Sequence, residues 1–588
     1  MKLLLLVTAA VAAADAEYTL DLARYFPGDT VERAERATLL AQVDAFGELQ
    51  VPATTRDFSA LLDTYDKLKK ALHKHDVYVW IKAERNRDDK DAHRADDALV
   101  EAMSRLDDAL TDILLDLGPA KADAFLDADA ALSGYRNFVD RVLEHAAHDS
   151  KRVDAATLPA APSMDRLVRS YLDQRRELAQ AEAPRDATGR EKFDTKWAPY
   201  LEREDAFADI LIPIVARQDE IARTRGFSGA PEAAYFRADL PAAAVRDILA
   251  ELRSSDTGRR YQEMVAEAAA RRLNLAAAEV RPWQLEEADA WSPPEVSFGE
   301  AVQTILTAEQ SMGAEYAAQY ARLFDPAARR VDWCREEQCD DTGFSVGYAG
   351  ITSGLFYGNY HGTTDSVRAV AHEAGHAVHR QFMSENQPRA VYNEGPRFVF
   401  ESFAIFNELL LLERMSGSAD TPQARAFYLR RVLDDMTFQV YGSAAETDLE
   451  ESIYGGVREG TLRSAKDLDA LTLEVFSRYN ASQALDDRMK VYWARNRLYF
   501  TDPLYDVNYL FAGLLALEYL HLHEQGPEEF ARKYVALLKN GLTDTPQTLM
   551  RQFLDIDMTD AHGLVNNAAN VIEDRTRKLA AAYSAISE

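Results

Sequence analysis

Basic residues, cysteines and long apolar runs are all scarce in this chain. Lys and Arg number 67 against 97 Asp and Glu, giving a formal net charge of −30. A chain so short of cations lacks the electrostatic footprint of a nucleic-acid binder or of a protein that docks on anionic lipid. Only two cysteines occur, Cys334 and Cys339, flanking Arg335-Glu336-Glu337-Gln338. No histidine lies near them, which argues against a Cys/His metal module. In an exported protein a pair this close invites a local disulfide pinning a small loop; two free thiols are the alternative. Past the first residues, no run reaches the roughly 20 apolar residues of a bilayer-spanning helix, so no stable membrane insertion is expected. What remains is a globular composition, 47% hydrophobic and 28% charged over 588 residues. That length is ample for a large core.

The one sustained apolar stretch is at the start. Lys2 precedes Leu3 to Ala14, a run of 12 residues, and Ala14-Asp15-Ala16 forms an A-x-A cleavage pattern. Residues 1–16 therefore read as a secretory signal, and the mature protein is expected in the periplasm or outside the cell. No cysteine follows the run, so a lipid anchor is not expected.

The most informative motif is His372-Glu373-Ala374-Gly375-His376. Histidines four residues apart share one face of a helix, so both imidazoles can reach one metal ion. Glu373 lies about 100° round the helix from His372, beside the metal's open position. Two neutral nitrogen ligands with a carboxylate placed to accept a proton from water make a zinc hydrolase arrangement. The stretch 367–382 has helical spacing without proline, and Thr363-Thr364-Asp365-Ser366 supplies side chains to cap its free amides. Its flanks, Val370-Ala371 and Ala377-Val378, are apolar. Two buried histidines and a buried glutamate would be costly without a partner such as a metal.

A catalytic zinc needs a third protein ligand. The longer motif with a third histidine is excluded, because Phe382 stands where that histidine would be. His379 falls one turn past His376 and reads as supporting or structural. Glu394 lies in a turn sequence, Tyr392-Asn393-Glu394-Gly395-Pro396. Glu401 lies within Phe398-Val399-Phe400-Glu401-Ser402-Phe403-Ala404-Ile405-Phe406, an apolar helical pattern in which a charge must be paired or liganding. Glu401 is the expected third ligand. Glu408, seven residues on and on the same face, can hydrogen-bond a ligand histidine.

Residues 17 to about 225 read as amphipathic helices, for example 60–73, 96–117 and 164–182, with a loop at 183–190. A second helical run follows at 241–273. The stretch 343–360 changes character: Gly343 to Thr352 and Leu355 to Tyr360 are rich in glycine, aromatic and β-type residues. A small sheet beside the metal helix is expected, with an edge able to bind an extended peptide. From about 420 to 587 the chain returns to helices.

Taken together, these residues resemble peptidase family M3, the group of thimet oligopeptidase, the dipeptidyl carboxypeptidases and oligoendopeptidase F. The likeness rests on His372-Glu373-x-Gly375-His376-x-x-His379 with Glu401 29 residues after His372. It extends through Asn359-Tyr360-His361-Gly362-Thr363 and Glu401 to Leu410, which are similar to the oligoendopeptidase F branch. Arg225-Gly226-Phe227 with Ala233-Ala234 resembles the start of the family's catalytic domain, and Trp493-Ala494-Arg495 the start of its last active-site segment. In family members a histidine precedes paired tyrosines that bind the substrate carbonyl. Here the segment 498–509 holds no histidine, while Tyr505 and Tyr509 match the tyrosine spacing.

The resemblance implies a mainly α, two-lobed helical clamshell with a small β-sheet beside the H-E-x-x-H helix. It implies an N-terminal helical lobe at 17–225 and a catalytic domain at 226–588. The expected function is that of an exported zinc metalloendopeptidase acting on oligopeptides. One Zn²⁺ is held by His372, His376 and Glu401; Glu373 is the general base; Tyr505 and Tyr509 stabilise the oxyanion. Two alternatives stay open: a peptide-binding protein with a metal site and reduced or lost catalysis, and a peptidyl-dipeptidase or carboxypeptidase.

Overall fold

Amphipathic spacing in the first third of the chain becomes long antiparallel helices. The computed structural model describes residues 18–148, 163–179, 188–288, 291–335, 339, 342–358, 360–479 and 486–587. The segment 1–16 and Asn359 lie outside the described residues. Helix α1 spans Thr55–Arg85 and α2 Lys90–Leu117. The first starts on a capping box, with Thr54 and Asp57 bonding each other's backbone amides. The second starts on Asp89, whose carboxylate accepts from Asp91 and Ala92 N–H. Leu61, Leu62, Leu72, Leu99, Leu106 and Leu110 interdigitate between them in a core of their own.

A separate and larger core holds the rest. It takes in residues from Tyr171 and Phe207 through Val378 and Phe406 to Leu579. The helices at Met164–Ala179 and Glu204–Thr224 thus share their apolar faces with the C-terminal two thirds. The expected run at 241–273 is two helices, Ala242–Ser254 and Thr257–Leu273. The break is at Ser255, which is extended and hydrogen-bonds the Tyr441 hydroxyl at 2.7 Å, a tertiary contact that spacing along the chain does not encode.

Three strands lie between the two cores: β1 (Val331–Cys334), β2 (Gly343–Tyr348) and β3 (Ile351–Gly358). The spatial order is β1-β3-β2, with β2–β3 antiparallel and β1–β3 parallel. The β2–β3 hairpin is the one the sequence predicts; β1 is additional, and it is too short to show period-two alternation. Cys334 at its end is disulfide-bonded to Cys339. Neighbouring side chains of a strand face opposite ways: Leu355 enters the large core and Phe356 the core of α1 and α2.

Helix α3 (Thr364–Asn386) carries the H-E-x-x-H motif, and Thr363 caps it by accepting from Ser366 N–H at 3.2 Å. It is fastened to the sheet at two points: Ser353 Oγ donates to Ala377 O at 2.6 Å, and Gly350 N–H to Ser384 O at 2.9 Å. Helix α4 (Arg397–Gly417) packs across it, followed by α5 (Pro422–Thr437), α6 (Ser443–Glu459), α7 (Asp506–Gln525) and α8 (Ala561–Ser587). No helix among the described residues is long and apolar enough to cross a membrane. The architecture is the mainly helical one with a small sheet beside the motif helix.

Candidate metal centre and active-site cavity

Gly375 decides how close α3 and α4 come. A Cβ at this position would lie 2.8 Å from Asn407 Nδ2 and 3.1 Å from Ala404 Cα. Asn407 is in turn locked: its Oδ1 accepts from the Tyr316 and Tyr320 hydroxyls, at 2.9 and 2.7 Å. This approach brings Glu401 of α4 to the histidines of α3. Glu401 Oε2 is 3.4 Å from His372 Nε2 and 3.7 Å from His376 Nε2. One atom from each of His372, His376 and Glu401 can be chosen so that all lie within 4.8 Å of one another.

The donor set fits a divalent metal. Glu408, two turns past Glu401 on the same face of α4, bonds His372 Nδ1 at 2.5 Å. With a metal bound, that nitrogen would donate its proton to the carboxylate and leave the lone pair of Nε2, which lies 3.4 Å from Glu401 Oε2, for the ion. Burial opposes charge on His372, but Glu408 and Glu401 outweigh it and hold the ring well above the ordinary imidazole pKa. Burial likewise opposes ionisation of Glu401, and hydrogen bonds to His372 and His376 override it, pulling its pKa down. The cluster thus presents surplus negative charge and two ring nitrogens to a common point. A cation is the group that satisfies it.

Behind this cluster runs a charged relay that spacing along the sequence did not reveal. Arg368 Nη1 donates to Glu408 Oε2 at 2.8 Å and to Asp435 Oδ1 of α5 at 2.9 Å. Arg368 stands four residues before His372, on the same stripe, a signal that could have identified it. Asp435 comes from a different helix and carries no local signature. His379 is fully enclosed between Phe400 and Phe403, with ring centroids at 5.1 and 4.6 Å, and burial lowers its pKa well below the usual value. It takes no part in the three-residue cluster and is structural.

The cluster opens on a cavity of about 490 Å³. Glu373 lines it opposite the start of β2, and a Cβ at Gly343 would come within 2.9 Å of Glu373 Cγ, so glycine is needed there. Phe344 and Ser345 of β2, an edge strand, line the same wall. The N-terminal helices contribute Trp80 to the lining, on the β2 side. Trp80 of α1 stacks on Phe344 with ring centroids 4.1 Å apart. Lys69 and His73 of the same helix reach Glu394 at 3.2 and 3.0 Å. Glu394, weighed in the sequence as a ligand, is instead a strut between α1 and the loop before α4. Burial opposes its charge, and Lys69 and His73 outweigh that and hold its carboxyl low.

Tyr505 and Tyr509 stand at the start of α7, their rings 5.4 Å apart. Burial raises the pKa of both, and neither is among the residues that line the cavity beside the three-residue cluster.

The profile of peptidase family M3 matches residues 179–569. The chain belongs to peptidase family M3. An oligoendopeptidase F homolog of Lactococcus lactis is 25% identical over 272 residues, 45% of this chain and 43% of that protein. The group B oligopeptidase PepB of Streptococcus agalactiae is 28% identical over 224 residues, 38% of this chain and 36% of that protein. The chain therefore aligns with less than half the length of these curated relatives. Among solved structures, one from Chlamydophila abortus described as a candidate peptidase superposes with a TM-score of 0.76 at 16% identity, covering 96% of this chain and 98% of that one. Oligoendopeptidase F from Enterococcus faecium gives 0.65 at 17% identity, covering 93% and 97%. At these identities the superpositions establish the M3 fold of the chain.

Proposed function

We propose that this M3 chain is a zinc metallopeptidase that hydrolyses peptide bonds within oligopeptides. The observation that carries the reading is the convergence of His372, His376 and Glu401 beside Glu373, on the wall of a large cavity. Family membership supports it, as do the oligopeptidase names of the relatives.

When bound, zinc supplies Lewis acidity at the position left open by three protein ligands. His372, His376 and Glu401 hold it; Glu408 fixes the His372 tautomer and, through Arg368, is itself kept in place. Glu373 takes the proton of the attacking water and delivers it to the leaving amine. Tyr505 and Tyr509 donate to the oxyanion as charge develops there. An extended peptide pairs with the open edge of β2 along Gly343 to Ser345, which suits substrates without folded structure. Residues 1–16 direct export. The Cys334–Cys339 disulfide is compatible with an oxidising compartment. Nucleic acid is no partner for a chain of this charge.

The test is Glu373→Gln with metal analysis and mass spectrometry of digested oligopeptides. Zinc should stay at one per chain while cleavage falls by orders of magnitude. A chelator should abolish wild-type cleavage, with zinc restoring it. Products cut internally support an endopeptidase; dipeptides or single residues released from the C-terminus select the exopeptidase reading. Unchanged turnover in Glu373→Gln rejects the assignment.

A further inference from the structure

We infer that Glu450, on α6, is a positioning residue for Tyr505: it holds the residue before the tyrosine in a strained conformation and so sets where the phenol stands. The inference rests on the proposed role of Tyr505 as an oxyanion donor.

Leu504 has φ +63°, in the left-handed region. Four other non-glycine described residues have positive φ. They are Asp239, Asn274, Arg329 and Asp555, and the last three end helical turns, where that conformation is common. Leu504 is the one among these five with a branched apolar side chain, which disfavours the region because Cβ crowds the following carbonyl. Such a residue persists only when its surroundings over-determine it.

Two things do so here. Its side chain is buried, at 5% exposure. Its N–H, equally enclosed, donates to Glu450 Oε1 at 2.8 Å. Glu450 has no local reason to be where it is. It is 2% exposed, its second oxygen has no hydrogen-bond partner among the described residues, and burial followed by the nearby Asp506 pushes its carboxyl well above the ordinary range. A buried acid with one oxygen unbonded is costly to keep. Among the described residues, the one hydrogen bond it makes is to the amide of Leu504, which precedes the tyrosine.

Tyr505 depends on that bond because of its position. It is the N-cap of α7, so no helical partner holds its own N–H. Its carbonyl is fixed from the far side by Asn508, whose N–H and Nδ2 both lie at 2.9 Å. Asp506 is held by Asn496 Nδ2 at 2.8 Å. The helix side of Tyr505 is thus secured by its own turn and by Asn496. On the loop side Tyr505 follows directly on Leu504, which is held by its buried side chain and by Glu450. Without the acceptor, the leucine relaxes toward negative φ and the Tyr505 peptide plane turns with it.

The experiment is a double-mutant cycle on the full-length, zinc-loaded enzyme, with an internally quenched oligopeptide as substrate and thermal melts alongside. Glu450→Ala should lower kcat by on the order of 10- to 100-fold, the cost of a misplaced catalytic group, with little change in KM. Glu450→Gln keeps an oxygen at the same place and should recover most of the rate. In a Tyr505→Phe background, Glu450→Ala should cost little more, because the group it positions is already gone. A full, multiplicative loss in that background, or an unchanged kcat in Glu450→Ala, overturns the inference while leaving the role of Tyr505 intact. Wild-type turnover in Tyr505→Phe overturns the role of Tyr505 itself, and the inference with it. Should Glu450→Ala fail to fold, Glu450→Asp withdraws the acceptor by one methylene and takes its place in the same cycle.

Discussion

Glu408 Oε1 lies 2.5 Å from His372 Nδ1, so a residue one helix away determines which nitrogen of a candidate metal ligand is free. The bond is backed by Arg368, which spans Glu408 and Asp435. Replacing Glu408 with Gln leaves the shape but weakens the charge-assisted bond and strands part of Arg368. Metal affinity should fall about 10- to 100-fold, the usual cost of losing such a supporting partner. Competition against a chromophoric chelator measures it. An affinity unchanged within twofold would mean that the ring is oriented by packing alone.

Gly375→Ala tests the approach of the two site helices. The added methyl meets Asn407 Nδ2 and the α4 backbone at Ala404, and Asn407 is pinned by two tyrosine hydroxyls and cannot yield cheaply. Overpacking of this kind costs about 1–3 kcal/mol. Because the strain pushes α4 away from α3, zinc affinity should drop along with the melting temperature. Loss of stability with normal zinc affinity would show that Glu401 follows its histidines.

Asp76 on α1 offers a pH test away from the metal. It is 8% exposed, and burial, with Asp96 and Glu394 adding to it, pushes its carboxyl up to about 7. A carboxyl whose folded pKa is raised binds more protons folded than unfolded between the two values. Its contribution to stability therefore declines as pH rises from about 4 to about 7 and is flat above that. Asp76→Asn does not titrate. Its advantage over wild type should be small at pH 4.5 and grow by about 3 kcal/mol by pH 8. Denaturant melts at the two pH values decide it, and an advantage that shrinks with pH would contradict the sign.

Trp80 is the N-terminal helices' contribution to the cavity wall. Trp80→Ala removes the stack on Phe344 without touching the metal residues. KM for oligopeptides should rise several-fold while kcat changes less, since ground-state and transition-state contacts are lost alike. A fall in kcat at constant KM would place Trp80 in the chemistry instead.

The local half of the site is legible in the sequence. Helical spacing put His372, Glu373 and His376 on α3, and the start signal at Thr363 caps it as expected. Glu401 could be chosen over Glu394 because a charge inside a run of large apolar residues needs a partner. The structure places Glu401 beside both histidines and turns Glu394 toward Lys69 and His73. Glu408 was legible as a periodic position. The strand β1 was not, being four residues long, nor was the break at Ser255, which a hydroxyl from a distant helix stabilises.

Sequence by itself determined what short-range geometry fixes: two imidazoles and a carboxylate on one helix, an apolar helix carrying one out-of-place glutamate, a glycine-rich hairpin. These follow from 3.6 and 2 residues per repeat, which hold wherever the element sits. Tertiary structure alone decided that Arg368 and Asp435 stand behind Glu408, that Trp80 reaches the cavity, and that Glu450 holds the amide before Tyr505. Each of these joins segments tens to hundreds of residues apart. Such contacts depend on how packed helices cross and how their loops close, and no repeat along the chain records either.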